Sequence, residues 1–194
     1  MNEKERLSCE IDKCLNGQLS WMDSIMIMRN TPKILQKCGL NNKPILFSQR
    51  HLRNCLHKKG NNIHWHGLKK IDILEMLDWL NTPAMIMDSI SDDMSIVVVS
   101  NKVDSDCLPI MASIRSNGTG SYCLQTIESN YLTSVYGRNN FLNFFERNIK
   151  SDYIMYVNKE KTQELESLCK LHLLAKCSNL EPNEIIHKSL NIVN

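Results

Sequence analysis

The chain has 194 residues, 42% of them hydrophobic, with 23 basic and 21 acidic side chains and a net charge of +2. A single domain of that length can bury a sufficient core without metals or disulfides. No apolar run exceeds four residues, as at 96–99, which argues against a transmembrane helix, and the charge excludes both a histone-like polycation and a strongly acidic nucleic-acid mimic.

Residues 2–17 place Leu7, Ile11, Cys14 and Leu15 on one helical stripe, closed by Asn16-Gly17. Residues 24–28 (SIMIM) read as a short strand because Asn30-Thr31-Pro32 follows. Thr31 is the expected N-cap and Pro32 the first helical residue of PKILQKC, which stops at Gly39. Residues 44–47 are another short strand. Ser48 caps the helix QRHLRNCLHKK, expected to end at Gly60, and NNIHWH (61–66) is extended or irregular. The three-residue spacing of Ile71, Leu74, Leu77 and Leu80 predicts one helix over 68–80, broken by Asn81-Thr82-Pro83.

Four strands are expected next, at 84–88, 95–100, 109–115 and 121–127, separated by SISDD, NKVDSD and SNGTG. Strands this close in sequence pair antiparallel. Ile96 and Val98 alternate with Val97 and Val99, so the second strand should be central and covered on both faces. Tyr136-Gly137-Arg138-Asn139-Asn140 opens the helix FLNFFERNIK. A short strand at 153–157 and a helix over 159–176, capped by Asn158, complete the pattern. The tail beyond Pro182 is weakly patterned. The fold class expected is α+β, with helices packed on an antiparallel four-strand meander. One domain spans 1–194, with a core at about 24–162, an N-terminal helix at 1–18 and a C-terminal helix and tail at 159–194.

There are eight cysteines and no CxxC. The N-terminus MNEKERLSCEIDK has no apolar stretch of signal-peptide type. The thiols therefore read as reduced and the protein as cytoplasmic.

Six histidines carry the clearest acid–base potential: His51, His57, His64, His66, His172 and His187. His51 and Cys55 share one helix face, where a half-buried packing role competes with a chemical one. His64 and His66 flank Trp65 and point to one side of an extended segment. Zinc held by these with His51 and Cys55 lacks a fixed ligand spacing, so no metal and no cofactor is expected. Residues 116–120 (SNGTG) read as a hairpin turn rather than a phosphate cradle, since no Walker lysine and no helix follow. Residues 129–140 offer hydroxyls, amides and a guanidinium at a helix start, which suits phosphate recognition. The same residues also suit a strand-to-helix connection with Tyr136 packed and Asn139 or Asn140 capping. GxSxG and HExxH are absent.

Several of these segments together resemble a known family. They are Thr31-Pro32 with Leu35 and Gly39-Leu40, Arg50-His51-Leu52, His66-Gly67-Leu68, Asn81-Thr82-Pro83, and Asp88-Ser89 ahead of SIVVV. Two more, SVYGRNN (134–140) and YVNKEK (156–161), are the strongest. The pattern resembles the C-terminal toxin domains of phage head-morphogenesis (MuF-type) proteins. These domains belong to the barnase–EndoU–colicin–RelE ribonuclease-like superfamily.

The resemblance implies metal-independent RNA cleavage, in which the 2′-hydroxyl attacks its own phosphodiester while a base and an acid move the protons. By motif, His51, His66, Ser134, Tyr136 and Arg138 are the expected catalytic set. His51 and His66 would be the acid–base pair and Arg138 the phosphate clamp. Arg115, Asn130, Asn139 and Asn140 are expected to contact RNA phosphates. The partners implied are RNA, with tRNA as one candidate, and a cognate immunity or host protein; no membrane is involved. The expected place of action is the cytoplasm of a bacterial host cell, or of one into which the protein is delivered. The alternative function is a non-catalytic phage protein using the same fold to bind RNA or to inhibit a host or anti-phage defence complex.

Overall fold

The computed structural model describes residues 1–58, 60, 66–90, 92–177 and 183–185. His64, Trp65 and His187 lie outside the described residues. The first helix, α1 (Glu3–Leu15), starts at a capping box in which Asn2 and Glu5 satisfy each other's backbone N–H groups. It buries Leu7, Ile11 and Cys14 of the stripe expected from the sequence, while Leu15, at the helix end, is exposed.

Seven strands form one mixed sheet: β1 (Ser24–Met28), β2 (Ile45–Ser48), β3 (Met85–Asp88), β4 (Ser95–Val103), β5 (Pro109–Tyr122), β6 (Gln125–Gly137) and β7 (Ile154–Val157). Their order is β1-β2-β6-β5-β4-β3-β7. Every pairing is antiparallel except β2 with β6, where Ile45, Leu46 and Phe47 run parallel to Asn130, Tyr131 and Leu132. The expected four-strand antiparallel meander is therefore corrected to a seven-strand mixed sheet, still within the α+β class. The cause is long-range pairing. β2 meets β6, and β7 meets β3, across long stretches of chain, so neither period nor local turn chemistry reveals these pairings.

The boundary of the expected fourth strand also changes. Residues 121–127 contain the hairpin turn itself, with Cys123 and Leu124 both left-handed at φ 51° and 63°. Such paired conformations match the twist of the strands they join. SNGTG is not a turn but lies within β5, with an irregular register between Arg115 and Gly118.

The sheet is covered on both faces. On one side, α1, α2 (Lys33–Lys37), α3 (Gln49–Leu56), α4 (Lys70–Leu74) and α5 (Met76–Trp79) bury Leu35, Leu52, Cys55, Ile73 and Trp79 against Ile96, Val98, Ala112, Ile114, Leu132 and Val135. On the other, Phe141 and Phe145 of α6 (Phe141–Lys150) and Leu165 of α7 (Lys159–Cys169) meet Met85, Met87, Val97, Val99 and Met111. β4 lies inside the sheet with its two sets of aliphatic side chains in the two cores, as its alternation requires.

Several ends differ from expectation. Pro32 rather than Thr31 occupies the N-cap of α2, and it makes no side-chain cap bond. The segment expected to form one helix over 68–80 divides at Glu75. α3 stops at Leu56, because His57 is already extended, and α7 stops at the left-handed Lys170. Among the described residues, no helix is long and apolar enough to cross a membrane.

The outer edge of β1 would present unpaired backbone groups. α1 closes it. The Arg6 guanidinium donates to the carbonyls of Met26 at 2.7 Å and Ile27 at 3.2 Å, while the Glu10 carboxylate accepts from the Met26 N–H at 3.0 Å. Glu10 is itself paired with Arg6 at 2.8 Å.

All eight cysteines are free thiols, and Cys9, Cys107 and Cys123 are exposed. Burial pushes the thiols of Cys38 and Cys177 up to about 11 and that of Cys55 up to about 12. A thiolate-selective reagent at mildly alkaline pH should therefore titrate the three exposed cysteines first in the native protein. The buried ones should react only on unfolding, with the same final count with and without prior reduction. A lower count without reductant would contradict the structure.

Candidate active site

β2 pairs with β6 only as far as Leu132. Beyond that point the outer edge of β6 is bordered by α3 and the segment that follows it. The Cys55 thiol donates to the Val135 carbonyl at 3.1 Å, which fixes the face that α3 turns towards this edge. His51 lies one turn earlier on that same face. The chain then folds back along α3, with the N–H groups of His66, Gly67 and Leu68 donating to the carbonyls of Asn54, His57 and Cys55. This places His66 at the end of β6.

The contacts there run as a chain. The His66 and Tyr136 rings are 5.4 Å apart and tilted by 33°. The Tyr136 hydroxyl accepts from Arg138 Nη1 at 3.2 Å. The Arg138 guanidinium lies 4.6 Å above the centre of the Phe144 ring, a cation–π contact that holds it at the start of α6. Arg138 Nε is buried with no hydrogen-bond partner among the described residues, so the guanidinium keeps donor capacity unspent.

The register of the β5–β6 hairpin decides which side chains share a face. Residues directly opposite one another project to the same side. Arg115 opposes Tyr131, Ser113 opposes Ser134, and Met111 opposes Tyr136. Met111 belongs to the core under α6 and α7, so Arg115, Ser134 and Tyr136 all lie on that face of the sheet. Val135 points the other way, into the core under α3.

The remaining candidates separate. Asn130 is fully buried, and its amide donates to Thr31 Oγ1 and to the Asn41 carbonyl, both at 2.7 Å. These bonds tie β6 to the connection ahead of β2. Asn139 and Asn140 are exposed at the start of α6. Asn140 holds the N-cap in a left-handed conformation without a side-chain cap bond, so the expected capping does not form.

Two participants were not visible in the sequence. Phe144 appears there only as part of an apolar helix face. Asp104, only 7% exposed, accepts from the N–H groups of Asp106 and Leu108. Its other carboxylate oxygen packs so closely on Gly137 that any Cβ there would collide with it. That contact explains the glycine between Tyr136 and Arg138. Among the described residues no group of three or more His, Cys, Asp or Glu side chains is placed to hold a metal ion.

A comparison with curated proteins finds no match, and neither does one with solved structures. The family of phage MuF C-terminal domains matches residues 57–164 of the 194. That stretch covers β3 to β7 and includes His66, Ser134, Tyr136 and Arg138, whereas His51 and the β1–β2 pair precede it. The match spans more than half of the sequence, and the chain belongs to the phage MuF C-terminal domain family.

Proposed function

We propose that this phage-associated protein is a metal-independent endoribonuclease that cleaves RNA by attack of a 2′-hydroxyl on the adjacent phosphodiester. The observation that carries this reading is the contact chain from His66 through Tyr136 to Arg138 at the open end of β6. It combines a proton-transfer group, a hydroxyl and a cation, the three functions that such a transphosphorylation needs.

In the mechanism, one imidazole takes the 2′-proton as the oxygen attacks phosphorus. The other gives a proton to the departing 5′-oxygen. His51 and His66 fill these two roles. Arg138 donates to the non-bridging oxygens, whose charge grows in the transition state. The Tyr136 hydroxyl already accepts from Arg138, so its own proton is available to the phosphate. Ser134, two residues earlier on the same face, supplies a further donor. The products are a 2′,3′-cyclic phosphate and a 5′-hydroxyl.

Incubation of the purified protein with total RNA in EDTA, followed by end-group analysis, tests the proposal. Cyclic phosphate and 5′-hydroxyl ends are the expected result. RNA left intact, or cleavage that stops with EDTA, would refute it.

A non-catalytic interaction role is favoured by a different observation. Trp21 and Leu124 are 87% and 74% exposed. The Leu124 N–H donates to Asp23, which brings the β5–β6 turn beside Trp21 and Met22. Large exposed apolar side chains gathered in one place mark protein contact surfaces. Intact RNA together with partner binding lost on Trp21→Ser would support that role instead.

A further inference from the structure

A second site lies on the same sheet face, away from the histidines. Residues Met94, Arg115, Asn117, Gly118, Tyr131 and Thr133 line an open cleft of about 370 Å³ over the middle of the β5–β6 hairpin. The Tyr131 ring forms one wall. Its hydroxyl is 2.8 Å from Ser24 Oγ, which anchors the far end of the ring on β1. Its near side rests against the backbone of β5. A Cβ at Gly118 would lie in ordinary contact with the ring, 3.9 Å from Cδ2, whereas one at Gly120 would come within 3.1 Å of the ring and 2.7 Å of Leu46 Cδ1. Gly120 thus makes room for an aromatic ring fixed in one orientation.

Opposite that ring stands Arg115, whose side chain is 57% exposed. Its Nε makes a loose 3.5 Å ion pair with Asp92, a contact that does not use the two terminal nitrogens. Asn117 stands beside it in a left-handed conformation, its carbonyl oxygen accepting from Asn41 at 2.5 Å. The amide nitrogen of Asn117 is not used in that bond. The cleft therefore offers an immobilised aromatic face, a cation and an amide donor.

The geometry points to a single-stranded RNA subsite in this cleft, with an unpaired base stacked on Tyr131 and a backbone phosphate held by Arg115. An aromatic platform beside a cation is what single strands use, because stacking needs a base whose face is free. Tyr136 lies five residue steps beyond Tyr131 on β6, a span of roughly 16 Å at strand rise. The bound strand would therefore continue along the sheet face, past Ser134, to the proposed cleavage point a few nucleotides away. As to reaction, the inference rests on the ribonuclease reading; as to binding, it stands alone.

The test uses the full chain and a fluorescent single strand of about 12 nucleotides, within the range one such site covers. The strand carries 2′-fluoro groups, which lack the attacking hydroxyl, and the same strand is also measured as a duplex. Single-strand binding should exceed duplex binding. Tyr131→Leu should weaken it about tenfold, the loss of one stacked base, and Tyr131→Phe, which keeps the ring and loses only the bond to Ser24, should recover most of it. Arg115→Gln, at an exposed position, should weaken binding and reduce the salt slope by about 0.7. Equal affinity for duplex, no binding of either form, or unchanged affinity in both Tyr131→Leu and Arg115→Gln would overturn the subsite. Binding that depends on Tyr131 in a protein that leaves natural RNA intact would remove the ribonuclease reading and keep the cleft. Cleavage that ignores both substitutions would do the reverse.

Discussion

Replacing His66 by alanine is expected to lower the rate of RNA cleavage by about 10²–10⁴-fold, the range for loss of a positioned acid or base. Affinity for uncleavable RNA should change far less, because proton transfer acts on the transition state and not on the ground-state complex. His51→Ala should behave in the same way, and the double variant should fall well short of the product of the two losses, since the two groups act in one step. Arg138→Ala should differ from both. It removes a cation that contacts the phosphate before and during reaction, so binding, its salt dependence and turnover should all decline. Single-turnover cleavage and equilibrium binding, measured on the same preparations, separate these outcomes. An undiminished rate in His66→Ala would eliminate that residue as a proton carrier.

The largest expected effect on stability comes from Arg6→Ala. Arg6 is 5% exposed, is paired with Glu3 and Glu10 at 2.8 Å, and supplies the donors for two carbonyls at the edge of β1. Removing it leaves the Glu10 side chain, 13% exposed, without that cationic partner and leaves both carbonyls short of a donor. Breaking a buried pair by deleting one member costs about 3–5 kcal/mol. Arg29 makes a comparably short contact with Glu3, but its side chain is 66% exposed, so Arg29→Ala should cost under about 1 kcal/mol. Urea unfolding of the two variants beside the parent measures the contrast. Equal midpoints for Arg6→Ala and Arg29→Ala would show that the edge of β1 does not depend on Arg6. The consequence for function would be indirect: β1 carries Ser24, which anchors the Tyr131 ring.

The sequence by itself determined what depends on neighbours along the chain. Leu7, Ile11 and Cys14 recur at helical spacing and form the buried stripe of α1. Ser48 begins α3 and Asn158 begins α7, each side chain accepting the backbone N–H three residues on. The alternation at 96–99 placed β4 between two cores, because a period of two sends successive side chains to opposite faces. The motif SVYGRNN singles out the segment where Tyr136 meets both His66 and Arg138, although in sequence it reads as a connection and its first four residues belong to β6.

Tertiary structure decided the rest. The parallel pairing of Ile45 with Asn130 joins segments whose local patterns carry no record of each other, and it turned a four-strand expectation into a seven-strand sheet. The glycines of SNGTG look like a turn in isolation, but the hairpin reverses at Cys123-Leu124, and Gly120 makes room for Tyr131 instead. Asn130 has the chemistry of an RNA contact, yet full burial commits its amide to Thr31 and Asn41. Residue type sets what a side chain can bond. Only the folded chain sets whether solvent, substrate or another part of the protein reaches it first.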